Sequence, residues 1–555
     1  MRHNFKYSLA FASILCLTAC GSGGSSSAPI STATAATPVV APTTTSGAPS
    51  FSPNVFEPRE DFEALCEAPR SGVDPDGNRF PDGAGSEAIE KFWLRSWTEE
   101  TYLWNDEIID ADPNGFQGRV PYFDSLVTPE LSETGSGRLK DDFHFSEDTE
   151  DFFERRDSVA TAGYGARFLF ISNSVPRDIR VLYSEPGSPA AASQNGSVNF
   201  PRGTQLISID GVDVINSTNT IALNAGLFPA TAGESHTFTV MDVGATETRT
   251  FTLTSANVAE IPVNRTEIIE TETGRVGYML FNTFSPFESE ESLNDAFSEL
   301  ASQNIDDLVL DLRYNGGGLV AVAAQLGYMI AGPSRTAGRT ASLLQYNDAS
   351  GNRSPIDGSV VQPFPFIDKG VGFSVPAGTP LATVNLPRVF ILSTEATCSA
   401  SELVINSLTG IGYNVILIGD TTCGKPYGFL PTDNCGRTYF TIQFRSLNDA
   451  GFGDYSDGFS PADSTNLFSE KSPGCTVSDD LSRALGDPDE ALLSTALYFR
   501  DNNSCPVETG STKSSAPINY TKSSAPTNSE SAMEMRGDPF ETTVDSYLDM
   551  TLPQQ

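Results

Sequence analysis

Val389-Phe390-Ile391-Leu392 leads through Ala396-Thr397-Cys398-Ser399-Ala400-Ser401-Glu402 towards Val415-Ile416-Leu417-Ile418 and then Thr422-Cys423-Gly424-Lys425-Pro426. The two short apolar runs read as buried strands, and the segment from Ser401 to Leu408 as a helix that Ser399 opens. A serine at a strand-to-helix turn stands beside the positive end of a helix, which favours developing negative charge. A lysine at the end of the following strand can take the serine's proton, provided burial lowers its pKa. Ser–Lys is one of the nucleophile–base pairs that recur on unrelated folds. Glu402 reads as a helix-start residue rather than a reacting group.

Working outward, the stretch from Val263 to about Phe499 alternates apolar strands with helical periodicity, as an α/β core does. Gly277 to Phe284 reads as a strand. Leu308-Val309-Leu310-Asp311-Leu312-Arg313 reads as another, running into Tyr314-Asn315-Gly316-Gly317-Gly318 and a helix from Leu319 to Ile330. A glycine turn at a helix start presents N–H groups, as an oxyanion site requires. A phosphate-binding loop is the other chemistry such a turn serves, but the Gly-Lys-Ser/Thr continuation is absent.

These motifs resemble those of the C-terminal processing, or tail-specific, serine proteases. The match rests on Asp311-Leu312-Arg313-x-Asn315-x-Gly317-Gly318, on Ser399-Ala400-Ser401-Glu402 and on Gly424-Lys425. The resemblance implies Ser399 and Lys425 as catalytic dyad, the Gly317 and Ala400 N–H groups as oxyanion donors, and an α/β, crotonase-like core over 260–500. It departs at Phe429, where members carry a glutamine that orients the lysine. Gln443, in an expected strand Phe440 to Phe444, is the candidate replacement.

Residues 160–259 carry short β-type runs punctuated by Gly and Pro. Glu185-Pro186-Gly187-Ser188-Pro189-Ala190-Ala191 and Ile209-Asp210-Gly211 resemble a PDZ domain, with Ser-Pro-Ala opening a helix and Ile-Asp-Gly a tight hairpin turn. Such a domain holds a peptide's C-terminal carboxylate on backbone N–H groups, here by the loop Gly163-Tyr164-Gly165. Residues 59–159 read as a small helical domain, with Phe92, Trp93, Trp97, Leu103 and Trp104 at helical spacing as its buried stripe. The expected architecture is therefore multidomain α+β: a helical N-terminal domain, a PDZ-like β domain and the Ser–Lys core.

A chain of 555 residues implies about two to four domains. Arg2 and Lys6 precede an apolar stretch and then Leu17-Thr18-Ala19-Cys20-Gly21, which resembles a lipoprotein signal over 1–19 with Cys20 as the lipidated residue. Residues 20–58 read as a flexible Ser/Thr/Pro/Ala tether and 501–555 as a low-complexity tail with a repeated Thr-Lys-Ser-Ser-Ala-Pro. The resemblance places the protein in a bacterial cell envelope, lipid-anchored, with the outer membrane (facing periplasm or exterior) the expected site.

The formal charge of −37 leaves no basic footprint for nucleic acid. The expected partners are polypeptides with free C-termini, and the membrane through the anchor only. No metal or cofactor motif is present. Beyond Cys16 and Cys20, the six cysteines Cys66, Cys398, Cys423, Cys435, Cys475 and Cys505 suit disulfides in an exported chain. Cys423 pairs as readily with Cys398 as with Cys435, so the connectivity stays open. The histidines His3, His144 and His236 all lie outside the α/β core, which makes Lys425 the economical base. Two other functions fit the same residues: a catalytically silent peptide- or ligand-binding protein, and a PDZ adaptor.

Overall fold

A computed structural model describes residues 49–157, 160–194 and 196–507. The signal, Cys20, most of the tether and the repeated tail lie outside the described residues. Among the described residues, no helix is long and apolar enough to cross a membrane.

The first long helix, α1 (Glu87–Thr101), is capped by the Ser86 hydroxyl, which accepts from the Ile89 N–H. It buries Trp93 and Trp97, stacked at 5.2 Å, against Tyr439. Besides α1, the described residues of 59–159 form two shorter helices, Arg119–Phe123 and Thr149–Arg156, and three 3-10 turns; turns and short strands make up the rest. The segment is also laced to the later chain. Phe145–Asp148 pairs antiparallel with Arg437–Phe440, and Cys66 is bonded to Cys435. The tether ends earlier than expected as well: Arg95 donates to the carbonyls of Val55 and Ser52 and lies over the rings of Phe51 and Phe56.

Next comes an antiparallel sheet of β1 (Ala166–Ser172), β2 (Asp178–Ser184), β3 (Gln205–Ile209), β4 (Ser235–Met241) and β5 (Arg249–Thr254), ordered β5-β4-β3-β2-β1, with α2 (Thr220–Leu227) between β3 and β4. Asp210 and Gly211 both have positive φ, 50° and 78°, and reverse the chain as a two-residue hairpin turn does. Ser188-Pro189-Ala190 forms turns rather than the expected helix; only one α-type bond, Ala192 N–H to Ser188 O at 3.1 Å, closes there.

The core sheet runs β6 (Val263–Thr271), β7 (Gly274–Phe281), β8 (Asp307–Asp311), β9 (Arg388–Ser393), β10 (Asn414–Gly419) and β11 (Gly474–Thr476), in that order. The first pair is antiparallel and the rest are parallel. Parallel strands covered on both faces read as unbroken apolar runs, which is why Val389 to Leu392 carries no polar alternation. Leu308, Leu310, Val389, Ile391, Val415 and Leu417 face a cluster with α3 (Ser289–Ser302), α4 (Val320–Ala331) and α5 (Ala400–Gly410). Val309, Phe390, Leu392, Ile416 and Ile418 point the other way, onto α6 (Ala491–Asn502). Cys475 in β11 is bonded to Cys505 just beyond α6 and staples that helix to the sheet edge.

Candidate active site

Asp311 and Arg313 act below the site. The Arg313 guanidinium is fully buried and pairs with Asp311 at 2.9 Å, and with Asp479 and Glu490 at 2.8 Å each. Arg202, from the loop before β3, also reaches Asp479 at 2.7 Å, which ties the β1–β5 sheet to the core. A buried cation held by three carboxylates fixes the end of β8, from which the glycine turn departs.

Asn315 organises that turn. Its Oδ1 accepts the Gly317 N–H at 2.9 Å, its Nδ2 donates to Phe281 O at 3.0 Å, and its carbonyl accepts from the Cys398 N–H and the Ser401 hydroxyl, each at 3.0 Å. The Gly317 N–H, expected to face a reacting oxygen, is thus engaged by the side chain two residues earlier, as asparagine does in an Asx turn. Gly317 itself has φ +111°, and a Cβ there would lie 2.9 Å from Ser399 Cβ and 3.0 Å from the Ala400 nitrogen. The turn therefore packs against the start of α5 without room for a side chain.

Ser399 is buried and has φ +53°, ψ −109°, outside the regions a serine ordinarily occupies. A non-glycine residue held this way persists only where its surroundings over-determine it, and such sites are often functional. Ala400 is the first residue of α5, where N–H groups have no partner within the helix.

Glu402 joins this elbow to the lysine loop. Its carboxylate accepts from Ser399 N–H (3.0 Å), Lys425 N–H (2.8 Å), Gly424 N–H (2.8 Å) and the Thr422 hydroxyl (2.5 Å). Burial pushes the Glu402 carboxyl above its ordinary pKa, and the same hydrogen bonds oppose that rise. Beside it Cys398 is bonded to Cys423, with Cα atoms 5.1 Å apart, so of the two pairings left open the one that joins the Ser399 elbow to the Lys425 loop is formed. Cys398, Glu402 and Cys423 lie close enough to share a metal, but both sulfurs are in the disulfide and no thiolate remains.

Lys425 is 1% exposed, its amine 4.1 Å from the centre of the Phe429 ring and 4.8 Å from that of Phe143. Phe429 thus takes an apolar place against the amine where the resembling family carries an amide. Gln443 lies outside a strand. The expected strand through Gln443 is interrupted, with Arg437–Phe440 and Phe444–Leu447 in separate sheets, and the Gln443 Oε1 accepts the Leu430 N–H at 2.8 Å. A carboxylate nearby went unread in the sequence. Asp141 is buried, accepts from the Tyr102 hydroxyl at 2.9 Å and the Phe143 N–H at 2.8 Å, and lies within electrostatic reach of Lys425. Burial raises its pKa, against the pull of His144 and Lys425.

Both described histidines are engaged elsewhere. His144 stacks on Phe123 at 3.9 Å, donates from Nε2 to Phe123 O at 2.8 Å and meets the Thr441 hydroxyl through Nδ1 at 3.0 Å; burial lowers its pKa. His236 meets Asp210 at 2.6 Å in the β1–β5 sheet.

Gly163, Tyr164 and Gly165 line a cavity of about 440 Å³ whose other lining residues include Asn282, Thr283, Gly316 and Gly317. The loop expected to hold a peptide's carboxylate and the glycine turn beside Ser399 thus share one space. The Tyr164 side chain itself belongs to the core, its hydroxyl donating to Gly226 O at 3.1 Å. Arg167 pairs with Glu260 at 2.8 Å on the same wall, and Glu185, also lining it, has its pKa pushed up to about 7 by burial.

With serine, lysine and glycine turn in place, the family comparison agrees with the geometry. Residues 275–432 match the model of peptidase family S41. The middle of the core is thus similar to peptidase family S41. Among curated relatives, the carboxyl-terminal-processing protease of Picosynechococcus sp. is 29% identical over 250 residues, 44% of this chain and 50% of that protein. The chloroplastic C-terminal processing peptidase of Tetradesmus obliquus is 26% identical over 278 residues, 48% of this chain and 52% of that protein. The chain spans about half the length of these curated relatives. In fold, an S41 protease structure from Bacteroides fragilis is similar with a TM-score of 0.55 at 22% identity, covering 74% of this chain and 97% of that one. The S41 match takes in the Asn315 turn, Ser399 and Lys425, but stops short of Gln443 and leaves the β1–β5 sheet outside.

Proposed function

We propose that this chain is a membrane-tethered serine endopeptidase that cleaves polypeptides near their C-termini, with Ser399 as nucleophile and Lys425 as general base. The observation that carries the reading is the joining of Ser399 and Lys425 through one buried carboxylate, Glu402, reinforced by the Cys398–Cys423 disulfide. In this reading the PDZ-like domain captures the free tail at Gly163–Gly165. The tail runs through the shared cavity to the glycine turn, and Ser399 attacks the scissile carbonyl. Lys425 takes the hydroxyl proton and returns it to the leaving amine; water then releases the acyl-enzyme. The Ala400 N–H supports the tetrahedral oxygen, and the Gly317 N–H joins it on leaving Asn315. Tethering through a lipid on Cys20 puts the enzyme in the bacterial envelope, at the outer membrane.

The engaged Gly317 N–H and the phenyl ring against Lys425 favour a second reading, a protein that holds peptides without cutting them. Incubating the full chain with an unfolded protein ending in an apolar C-terminus decides between them. Fragmentation that Ser399→Ala and Lys425→Ala both abolish supports the peptidase. Retention of intact substrate supports the binding protein, and cleavage that survives Lys425→Ala removes the lysine from the mechanism.

A further inference from the structure

In the cavity between the Gly163–Gly165 loop and the Gly316–Gly317 turn, the Asn282 carboxamide is used by neither the dyad nor the packing. Asn282 follows directly on β7 and is 2% exposed, yet neither its Nδ2 nor its Oδ1 has a hydrogen-bond partner. Among the described residues it is the buried side chain left unpaired at two polar atoms. Its backbone is firmly placed. The Asn282 N–H donates to Pro262 O at 2.9 Å, and the flanking Phe281 and Phe284 rings are buried and meet edge to face at 4.5 Å. The same backbone holds the glycine turn: Phe281 O accepts from Asn315 Nδ2 at 3.0 Å, and Phe284 N–H donates to Gly317 O at 2.8 Å.

A buried donor or acceptor without a partner carries its full desolvation penalty, whereas an apolar side chain of the same shape carries none. A leucine would fill this position without that cost, so the amide is explained by a ligand rather than by the fold. A carboxamide offers one acceptor and an N–H donor side by side, the complement of the C=O and N–H of an extended peptide. We infer that Asn282 is a substrate-binding residue whose carboxamide pairs with the main chain of the polypeptide between the PDZ-like loop and Ser399. This rests on the peptidase reading above and adds to it a contact that is indifferent to the substrate's side chains.

Full-length wild type, Asn282→Leu and Asn282→Asp are compared in cleavage of β-casein, in labelling of Ser399 by a small fluorophosphonate, and in thermal melting. The fluorophosphonate reports on the nucleophile but has no peptide main chain to hold. Expected are a Tm for Asn282→Leu at or above that of wild type and labelling within about twofold. The kcat/KM for casein falls roughly tenfold or more, mostly through KM, as the loss of two ordinary hydrogen bonds predicts. Asn282→Asp, which replaces the N–H donor by an acceptor, loses casein cleavage likewise, and carries the test if the leucine variant misfolds. Casein cleavage at the wild-type rate in a folded variant overturns the inference. So does labelling that falls in step with cleavage, or misfolding of both variants, since either makes Asn282 structural. A wild type that neither cleaves nor labels defeats the peptidase reading itself, and this inference with it.

Discussion

Glu402 Oε2 accepts both the Ser399 N–H, at 3.0 Å, and the Lys425 N–H, at 2.8 Å, so a single carboxylate oxygen holds the backbones of both residues. Oε1 takes Gly424 N–H and the Thr422 hydroxyl. All four of these partners are donors, and so glutamine, though isosteric, is the wrong replacement: its Nε2 must face one of these pairs. Glu402→Gln is expected to fold, to lower the melting temperature and to reduce kcat by about a hundredfold, the scale of a displaced reacting group. Steady-state kinetics and melting check it, and full activity in the variant would show that the disulfide alone sets the geometry.

That disulfide closes the chain between Cys398 and Cys423, a sequence separation of 25. In the chain-entropy picture a loop of this size contributes about 3 kcal/mol by restricting the unfolded state. The double variant Cys398→Ala, Cys423→Ala is therefore expected to lose about that much stability in urea titration. Because Glu402 still spans the two loops, the folded variant retains measurable peptidase activity. Complete inactivation of a folded variant would assign the positioning to the bond instead.

Much of this was legible before any coordinates. The strands through Leu308 and Val389 are covered on both faces, and continuous apolar runs betray that directly. Ser399 and Lys425 stood out because each follows such a strand in a motif with a chemical purpose. Glu402 was read as a helix-start residue, which is half its role. That its carboxylate also reaches Gly424 and Lys425 depends on how the loop after β10 folds back, and no local periodicity records that. Asn315 had a readable signal, since Asn-x-Gly invites an Asx turn, but which N–H it would capture did not follow from the string. The strand expected through Gln443 is absent: the apolar alternation from Phe440 to Phe444 looks continuous, while the pairing breaks between those residues. Asp141 lies far along the chain from Lys425, and only tertiary packing brings them near.

Glu185 gives the fold a pH dependence of defined sign. Its folded pKa of about 7 lies above the ordinary glutamate value of 4.5 because burial disfavours the carboxylate, with Arg167 opposing. The folded state therefore binds the proton more tightly than the unfolded one. The stabilisation is fully present below pH 4.5 and is lost as pH rises through about 7. Glu185→Gln mimics the protonated group and should gain stability relative to wild type by about 2–3 kcal/mol on going from roughly pH 5 to 8.5. Urea titrations of both proteins at the two pH values check this, and parallel changes would show that the carboxyl titrates normally.

Gly317 offers the sharpest test of the glycine turn. Its φ of +111° is closed to other residues, and an added Cβ would press on Ser399 Cβ at 2.9 Å, the Ala400 nitrogen at 3.0 Å and Cys398 O at 3.0 Å. Two of those three atoms are backbone at the Ser399 elbow and cannot swing aside. Gly338 also has positive φ, +70°, but an added Cβ there meets nothing within 4 Å. Gly317→Ala and Gly338→Ala thus share the backbone strain and differ in where the methyl goes. Both are expected to lose about 1 kcal/mol or more of stability from the strain. Only Gly317→Ala should lose peptidase turnover, by about a hundredfold to a thousandfold, the range for loss of one oxyanion donor. Fluorophosphonate labelling of Ser399 should fall with turnover in Gly317→Ala and stay at the wild-type rate in Gly338→Ala. Equal turnover in the two variants would mean that the turn supports the fold and not the reacting oxygen.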